Sequence, residues 1–219
     1  MAKIVIFGAG DIARLAEFYF STDSEHEVVA FTVDPEYVTG ETFLDRPLIP
    51  FDRVPSVYPP SSYRMFVALS YAKMNQVRQA KYSEAKALGY ELASYVSSRC
   101  SFLTRHPHGD NCFILEDNTV QPFVRIGNNV TLWSGNHIGH DSAIGDHSFL
   151  SSHVVVSGHV TIGVNCFLGV NATIGNGVTI ADFTLVGGGA LIMKDTTPRA
   201  VFAPSRTERF KKTSDQIDL

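Results

Sequence analysis

The chain has 219 residues, a hydrophobic fraction of 44% and a formal net charge of −4 at pH 7. These values fit a globular protein of one large or two small domains, and with no basic block they give no electrostatic case for nucleic acid or an anionic membrane. No apolar segment approaches the length of a membrane helix, and we expect no signal peptide. Three widely spaced cysteines suggest neither a disulfide framework nor a zinc knuckle, so we expect a cytoplasmic protein with reduced thiols.

The first part of the sequence alternates between strand and helix patterns. Strands are predicted for residues 3–7, 26–34, 63–71 and 91–97, with a short proline-edged segment at 47–54 and helices after the first strand and at 75–89. Asp11 is the predicted N-cap of the first helix. This βαβ alternation predicts a small parallel sheet with helices packed against it, in a domain of residues 1–99.

The second part follows a period of six. Every sixth residue is aliphatic, in the series Ile114, Val120, Ile126, Leu132, Ile138, Ile144, Leu150, Val156, Ile162, Leu168, Ile174, Ile180, Val186 and Ile192. The next residue is often glycine. Six is not a helical period, but a short strand with one inward aliphatic followed by a turn builds a parallel β-helix, with about 18 residues in a three-sided coil. We predict this fold, with a C-terminal tail, for residues 100–219.

These [LIV]-G-x-x-x-x hexads resemble those of the hexapeptide-repeat acyltransferases. With Gly8-Ala9-Gly10 ahead of them, the whole chain is similar to bacterial sugar acyltransferases of the sialic acid O-acetyltransferase type, which include N-acetyltransferases of nucleotide-linked amino-dideoxy sugars. The resemblance implies a Rossmann-like α/β domain for the nucleotide sugar, a left-handed β-helix, acetyl-CoA as co-substrate, no metal, and a homotrimer. It implies acetylation of an amino group, and acetylation of a hydroxyl on a sialic acid or another sugar is the alternative.

His140 and Asp141, in the segment IGHDSAIG, match the base and acid of that family. There the imidazole takes the proton of the attacking group and the acid orients the ring; in some members the acid is Glu, which has a longer reach. Gly158 lies 18 residues after His140, so the coil length alone predicts that it sits beside His140 on the next rung. The family uses a glycine in the matching context to bind the thioester carbonyl, so Gly158 is the predicted oxyanion donor.

The resemblance also assigns residues to acetyl-CoA. Val170 and Gly188 match main-chain positions that meet the pantetheine chain in relatives, in a cleft shared by two subunits. Lys194 is a candidate for the CoA phosphates. The tail cations Arg206, Arg209, Lys211 and Lys212 are further candidates for the same role.

The nucleotide is expected at the N-terminal domain. Gly8 and Gly10 follow a strand and open a helix, so their amides are candidates for holding phosphates. Ala13 stands where a dinucleotide fingerprint has its third glycine, which weakens a dinucleotide interpretation. Asp34 ends the second strand and is a candidate for contact with the base or ribose; a turn aspartate before Pro35 is the other interpretation.

Other residues of the repeat have no assigned role. His147, His153 and His159 follow one another at steps of six, so we expect them on successive faces of the prism, pointing apart, which disfavours a zinc site inside one subunit. His137 has no assigned role either, and Trp133 is either a surface for stacking a sugar or a packed residue. A zinc-dependent hydratase with an intersubunit site and a sugar-nucleotide-binding protein without chemistry are the rival functions.

Three positions in the same stretch break the repeat rule. Asn136, Ser142 and Ser148 stand where the repeat has a small or β-branched residue at most other positions. We interpret this departure as a mark of function, because local rules are most often broken at functional sites.

Overall fold

The computed structural model describes residues 1–203, 209 and 211–217, and its N-terminal part is an α/β unit. The elements are β1 Lys3–Phe7, α1 Asp11–Thr22, β2 Glu27–Val33, β3 Thr42–Phe43, β4 Arg46–Pro50, α2 Val54–Val57, β5 Arg64–Val67 and α3 Gln76–Ala87. The strands form one sheet in the order β3-β4-β2-β1-β5, parallel except for the β3–β4 pair. The predicted strand–helix alternation and parallel sheet are therefore confirmed.

Helices cover both faces of this sheet. Phe20 of α1 packs with Ile4 and Ile6 on one face, whereas Ala85 of α3 packs with Val5 on the other, and all five are fully buried. A strand buried on both faces reads as a continuous apolar run, which explains the sequence KIVIF of β1.

The prediction that Asp11 caps α1 is wrong. Gly10 is the N-cap and makes no side-chain hydrogen bond, and Asp11 is the first helical residue. Its carboxylate lies 3.3 Å from Arg14 in an exposed ion pair one turn along the helix. An acidic residue in the first turn still suits the positive end of the helix dipole.

The second part is a parallel β-helix of two-residue strands. These are β6 Tyr95–Val96, β7 Ser101–Phe102, β8 Phe113–Ile114, β9 Thr119–Val120, β10 Arg125–Ile126, β11 Thr131–Leu132, β12 His137–Ile138, β13 Ala143–Ile144, β14 Phe149–Leu150, β15 Val155–Val156, β16 Thr161–Ile162, β17 Phe167–Leu168, β18 Thr173–Ile174, β19 Thr179–Ile180, β20 Leu185–Val186, β21 Leu191–Ile192 and β22 Val201–Phe202. They form three sheets of seven, six and four strands, in which residues 18 apart are paired, as Thr131 is with Phe149, except that β20 and β22 pair residues 16 apart. The predicted period and coil length are confirmed.

The aliphatic series lines the inside of the prism. Each of its members belongs to one apolar cluster, and none is more than 6% exposed. Cys112 and Cys166 lie in the same interior and are fully buried. Because a two-residue strand buries almost nothing by itself, stability has to come from contacts between stacked coils.

The α/β unit covers the seven-stranded sheet of the prism. Tyr71 lies against the rings of Phe149 and Phe167, with centroids 5.1 and 4.7 Å away. The guanidinium of Arg78, which is 2% exposed, donates to the hydroxyl of Thr131 and to the carbonyl of His147. The outer surface of this sheet is therefore part of the core shared by the two halves of the chain.

Trp133 is a packed residue at the same contact. Its ring stacks on Phe149 at a centroid distance of 5.9 Å and meets Phe113 edge-on at 6.4 Å. Of the two interpretations from the sequence, the structure supports packing within the chain rather than a surface for a sugar.

The predicted strand at 91–97 is wrong as a single strand. Leu92 makes only an isolated parallel bridge to Met65 of the α/β sheet, whereas β6 pairs with β8 in the prism. The chain therefore crosses between the two halves inside this segment, while a domain division at residue 99 stays a proposal. None of the helices in the described residues is long and apolar enough to span a membrane.

Candidate active site at one edge of the prism

The turns between the six-stranded and four-stranded sheets form one edge of the prism, which we call the site edge. It comprises residues 121–124, 139–142, 157–160 and 175–178. In a three-sided prism this edge lies opposite the seven-stranded sheet, which the α/β unit covers. The site edge is therefore the part of the prism that the α/β unit of the same chain leaves uncovered.

His140, Asp141 and Gly158 meet at the site edge as the coil length predicts. Asp141 Oδ2 lies 2.8 Å from His140 Nδ1, and since a carboxylate accepts, the neutral imidazole has its proton on Nδ1 and its lone pair on Nε2. The imidazole covers Gly158: a Cβ placed on that glycine would lie 2.8 Å from Nε2. The ring of residue 140 thus faces residue 158, which leaves no room for a side chain there.

The amide of Gly158 stands at the second position after an inward aliphatic, which lies outside the ladder of backbone hydrogen bonds. At three such positions, 128, 140 and 164, a side chain accepts from the N–H, whereas at others, such as 134, 152 and 176, nothing in residues 1–203 does. Gln121 Oε1 does so for His140 at 2.9 Å, and Asp182 Oδ1 does so for Val164 at 2.9 Å. Within residues 1–203 nothing accepts from the Gly158 N–H. Because a buried amide needs a partner, this N–H is suited to binding an oxygen of a ligand.

His159 and Asn176 also lie at the site edge, and the sequence interpretation assigned neither a role. The ring of His159 meets that of His140 edge-on, with centroids 4.9 Å apart. The backbone N–H of His159 donates to the backbone carbonyl of His140 at 2.9 Å. Asn176 Oδ1 would be 3.2 Å from a Cβ on Gly158. The 18-residue period could have found both, since they follow Asp141 and Gly158 by one coil.

His140, Asp141 and His159 form the one group of possible metal ligands among the described residues. Their ligand atoms lie within 4.8 Å of one another, and all three residues are exposed. Asp141, however, is already bonded to Nδ1 of His140. The arrangement is that of an oriented imidazole with a second imidazole beside it, and the absence of a metal stays a prediction.

A backbone requirement explains why histidines are common in this repeat. The third residue after each inward aliphatic from Ile114 to Val186 has a left-handed backbone, with φ between 55° and 77°, at positions 117, 123, 129, 135, 141, 147, 153, 159, 165, 171, 177, 183 and 189. Asn, Asp, His and Gly are the residues that adopt this conformation most readily. His147, His153 and His159 are therefore turn residues, two of which lie at other edges of the prism.

The polar residues that break the repeat rule have a structural cause. The hydroxyl of Ser142 donates to the Ser157 carbonyl at 3.0 Å and accepts from the N–H of Val160 at 3.1 Å. Ser148 makes the equivalent pair of bonds one hexad later, and Asn136 Oδ1 accepts from the N–H of Val154. These side chains join successive coils, so the interpretation of the three positions as marks of function is not supported.

The residues assigned to CoA do not all lie at the site edge. Val170 is 49% exposed, and Gly188 follows it by one coil, but both belong to the edge between the seven- and six-stranded sheets. Lys194 is exposed and lies at the end of the site edge, three coils after His140. Of the tail cations, Arg206 lies outside the described residues, and the others are exposed.

Gly8 and Asp34 line one cavity of the α/β unit. Its volume is about 380 Å³, and Phe7, Val33, Tyr37 and Lys81 are among the other lining residues. Gly8 has a φ of +134°, and a Cβ there would lie 2.7 Å from the carbonyl oxygen of Ala68, so only glycine fits. The backbone N–H of Gly8 donates to the backbone carbonyl of Thr32 and is therefore not available to a phosphate. Gly10 is not among the residues that line the cavity; it is the N-cap of α1, and a Cβ placed on it would meet nothing within 4 Å.

Lys81 is a cavity residue that the sequence interpretation missed. Its ammonium lies 2.7 Å from Asp34 Oδ1 and 5.5 Å from the centroid of Phe7. Burial acts against the charged form, but the bonds to Asp34 and Glu84 outweigh it and raise the pKa of Lys81. The cavity thus contains a fixed positive charge beside a carboxylate, and nothing in the sequence pairs residues 47 positions apart.

A family model matches part of the second half of the chain. Residues 123–158 match the family model described as bacterial transferase hexapeptide (six repeats). A comparison with curated protein sequences finds no significant match. The hexads, the coil of 18 residues and the match together make the second half of the chain a hexapeptide-repeat β-helix.

Several solved structures are similar in fold over nearly the whole chain. The acetyltransferase domain of PglB from Neisseria gonorrhoeae FA1090 has a TM-score of 0.79 at 18% identity, covering 92% of this chain and 96% of that one. A histidine variant of perosamine N-acetyltransferase from Caulobacter crescentus, in complex with CoA and GDP-perosamine, has a TM-score of 0.80 at 22% identity, covering 92% and 93%. WeeI from Acinetobacter baumannii AYE has a TM-score of 0.65 at 17% identity, covering 88% and 94%. The predicted resemblance to the hexapeptide-repeat sugar acyltransferases is confirmed in the fold.

Proposed function

We propose that the protein is an acetyl-CoA-dependent N-acetyltransferase that acts on the amino group of a nucleotide-linked amino-dideoxy sugar. His140 is the general base, Asp141 orients its imidazole, and the N–H of Gly158 binds the oxyanion that develops on the thioester carbonyl. The observation that carries the proposal is the imidazole of His140 lying over the unbonded amide of Gly158, with Asp141 on its far nitrogen.

Each part of this arrangement has a chemical task in acyl transfer. With Nδ1–H held by Asp141, the lone pair of Nε2 is directed away from the carboxylate and can accept the proton of the attacking amine. The Gly158 amide lies next to Nε2, so the reacting carbonyl and the amine would meet within reach of both groups. A backbone donor fixed before the reaction starts stabilises developing charge without reorganisation.

Attack is direct, without an acyl-enzyme. Cys112 and Cys166 are fully buried inside the prism. Burial raises the pKa of the Cys166 thiol to about 11 and that of Cys112 to about 12. The half-buried Cys100 has a pKa raised to about 11 for the same reason. Since the thiolate is the nucleophilic form, none of these thiols is activated for catalysis.

The α/β unit, which we interpret as Rossmann-like, holds the nucleotide. The cavity at Gly8 and Asp34 lies at the carboxyl ends of β1 and β2, where ligands bind in open parallel sheets. The perosamine N-acetyltransferase with the same fold is in complex with CoA and a GDP-linked amino sugar, which supports this choice of substrates. Val170, Gly188 and Lys194 then remain candidates for contacts with CoA, on a β-helix that we take to be left-handed.

The active site combines parts of two subunits of a homotrimer. Within one chain the α/β unit covers the seven-stranded sheet, whereas His140 lies at the opposite edge of the prism. A nucleotide in the cavity of the same chain would therefore be on the wrong side for its sugar to reach His140. A neighbouring subunit can bring its own cavity to the site edge, or the edge between its seven- and six-stranded sheets, where Val170 lies. The sugar and acetyl-CoA could then both reach His140.

Acetyl transfer by the purified protein tests the proposal. UDP-, GDP- and dTDP-linked 4-amino-4,6-dideoxy sugars are incubated with acetyl-CoA, and release of free CoA and the product mass are measured. We expect transfer to the amine with at least one carrier nucleotide. We expect kcat for His140→Ala to fall about 100-fold or more, the usual contribution of a general base. His26→Ala, a histidine outside the prism, is the matched control and should retain activity.

The same assay separates the alternatives. Acetylation of a sugar that carries a hydroxyl in place of the amine would favour the O-acetyltransferase. Loss of activity after chelation, restored by Zn²⁺, would favour metal chemistry. If no acceptor is acetylated although a nucleotide sugar raises the melting temperature by binding the folded state, the protein is a binding protein without this chemistry.

A further inference from the structure

Phe123 has a conformation that its residue type does not favour. It occupies a left-handed turn position of the repeat, with a φ of 67°. Nearly all other residues at these positions are Asn, Asp, His or Gly, and a bulky side chain in this region is a genuine outlier. Strained backbone of this kind persists where something else is gained, often at a binding site.

Burial does not explain the choice of Phe123. The side chain is 62% exposed, and no aromatic or cationic partner stacks on it among the described residues. Phe183 is the other phenylalanine at such a turn, with a φ of 58°, but the guanidinium of Arg199 lies 4.6 Å from its ring centroid. Phe183 therefore has a partner within the chain, whereas the chain supplies none for Phe123.

Phe123 lies on the rung next to the proposed base. The N–H of Asp141 donates to the carbonyl of Pro122 at 3.2 Å, and the N–H of His140 donates to Gln121 Oε1 at 2.9 Å. The rung on the other side of His140 contains Gly158, where the acyl group is expected. The attacking amine has to reach Nε2 beside Gly158, and the sugar that carries it can extend from there along the site edge to residues 121–123.

We propose that Phe123 is a specificity-determining residue whose exposed ring supports the apolar face of the acceptor sugar next to His140. This inference rests on the proposed function and names the side from which its acceptor arrives. A deoxygenated pyranose ring presents a face of C–H groups, and an aromatic ring is the side chain best able to cover such a face without competing for its polar groups.

Replacing Phe123 with Asn tests the proposal, because Asn suits the left-handed turn and removes only the ring. In the acetyl-transfer assay we expect the KM for the acceptor to rise about tenfold, the size of one lost apolar contact. The KM for acetyl-CoA should be unchanged, and the melting temperature should not fall. Phe183→Asn, the same exchange at a turn away from the site edge, should leave both KM values unchanged.

Three results separate this proposal from the function on which it rests. An active Phe123→Asn variant with an unaltered acceptor KM overturns the role of the ring and leaves the acetyltransferase standing. A variant that falls apart into smaller species on gel filtration shows that the ring is a subunit contact, which also overturns it. A wild-type protein that acetylates no acceptor removes the proposed function itself.

Discussion

Gly158 shows how a single missing side chain shapes the candidate active site. The glycine does not have a left-handed φ, so its backbone would accept any residue. What excludes a larger residue is the imidazole of His140, since a Cβ would lie 2.8 Å from Nε2 and 2.9 Å from Cε1. The glycine is therefore needed for the contact between base and amide rather than for the turn.

The substitution Gly158→Ala should separate activity from folding. The methyl group would displace the exposed ring of His140 from the amide, and we expect kcat/KM for acetyl transfer to fall about 100-fold, as when an oxyanion donor is lost. The ring is the free end of a flexible side chain, so the melting temperature should change little. Gly40→Ala is the matched control, since a Cβ there meets nothing within 4 Å. A fully active Gly158→Ala variant would remove the glycine from the mechanism.

The hexad is the element that accounts for three of the eight histidines in this chain. One position of each hexad is an inward aliphatic, and the third residue after it must adopt a left-handed backbone. His153 occupies such a turn with a φ of 58°, and its ring lies over Gly135, whose Cβ would be 2.5 Å from Nδ1. Histidine satisfies the turn here without any need for metal or catalysis.

Two substitutions of His153 should therefore change the free energy of unfolding by different amounts. His153→Asn keeps a residue that tolerates the left-handed turn, and we expect a free energy of unfolding close to that of the wild type. His153→Val places a β-branched side chain there and should cost about 1–2 kcal/mol. Chemical denaturation of both variants measures the difference. Equal losses for Asn and Val would mean that the imidazole ring, and not the backbone, is what the turn requires.

At the scale of the whole molecule, the proposed nucleotide cavity and the proposed base lie on opposite sides of one chain. The α/β unit is fastened to the seven-stranded sheet by buried contacts, among them Arg78 with the carbonyl of His147 at 2.8 Å and Asn75 with the carbonyl of Cys166 at 3.0 Å. Such contacts leave the unit no freedom to swing to the far edge of the prism. If the protein has the proposed function, catalysis therefore needs a second copy of the chain.

Mixing two inactive variants tests this arrangement. One variant is His140→Ala, and the other combines Asp34→Ala with Lys81→Ala, which removes both charges of the cavity together. Suppose that each site uses the cavity of one chain and His140 of another. When equal amounts of the two variants reassemble at random, about one quarter of the sites combine an intact cavity with an intact His140. We expect the refolded mixture to recover activity on that order. No recovery from an assembled mixture would mean that one chain builds the whole site.

Much of the fold could be predicted from local patterns, because the β-helix repeats the same short-range rule on every coil. Ile114 and Ile192 are buried for the same reason, so period and coil length follow from counting, and the pairing of His140 with Gly158 follows with them. The segment at 91–97 could not be predicted, because its strand pattern does not say which sheet it joins. Leu92 bridges to one half of the chain and Tyr95 pairs in the other.

The sequence by itself determined the prism, its coil length and the neighbours along each edge, because these depend on a one-dimensional period. Only the tertiary structure decided which N–H groups lack partners, that Lys81 holds Asp34, and that the α/β unit covers the sheet opposite His140. Those features depend on contacts between residues far apart in the chain, whose side chains meet only after both halves have folded and packed together.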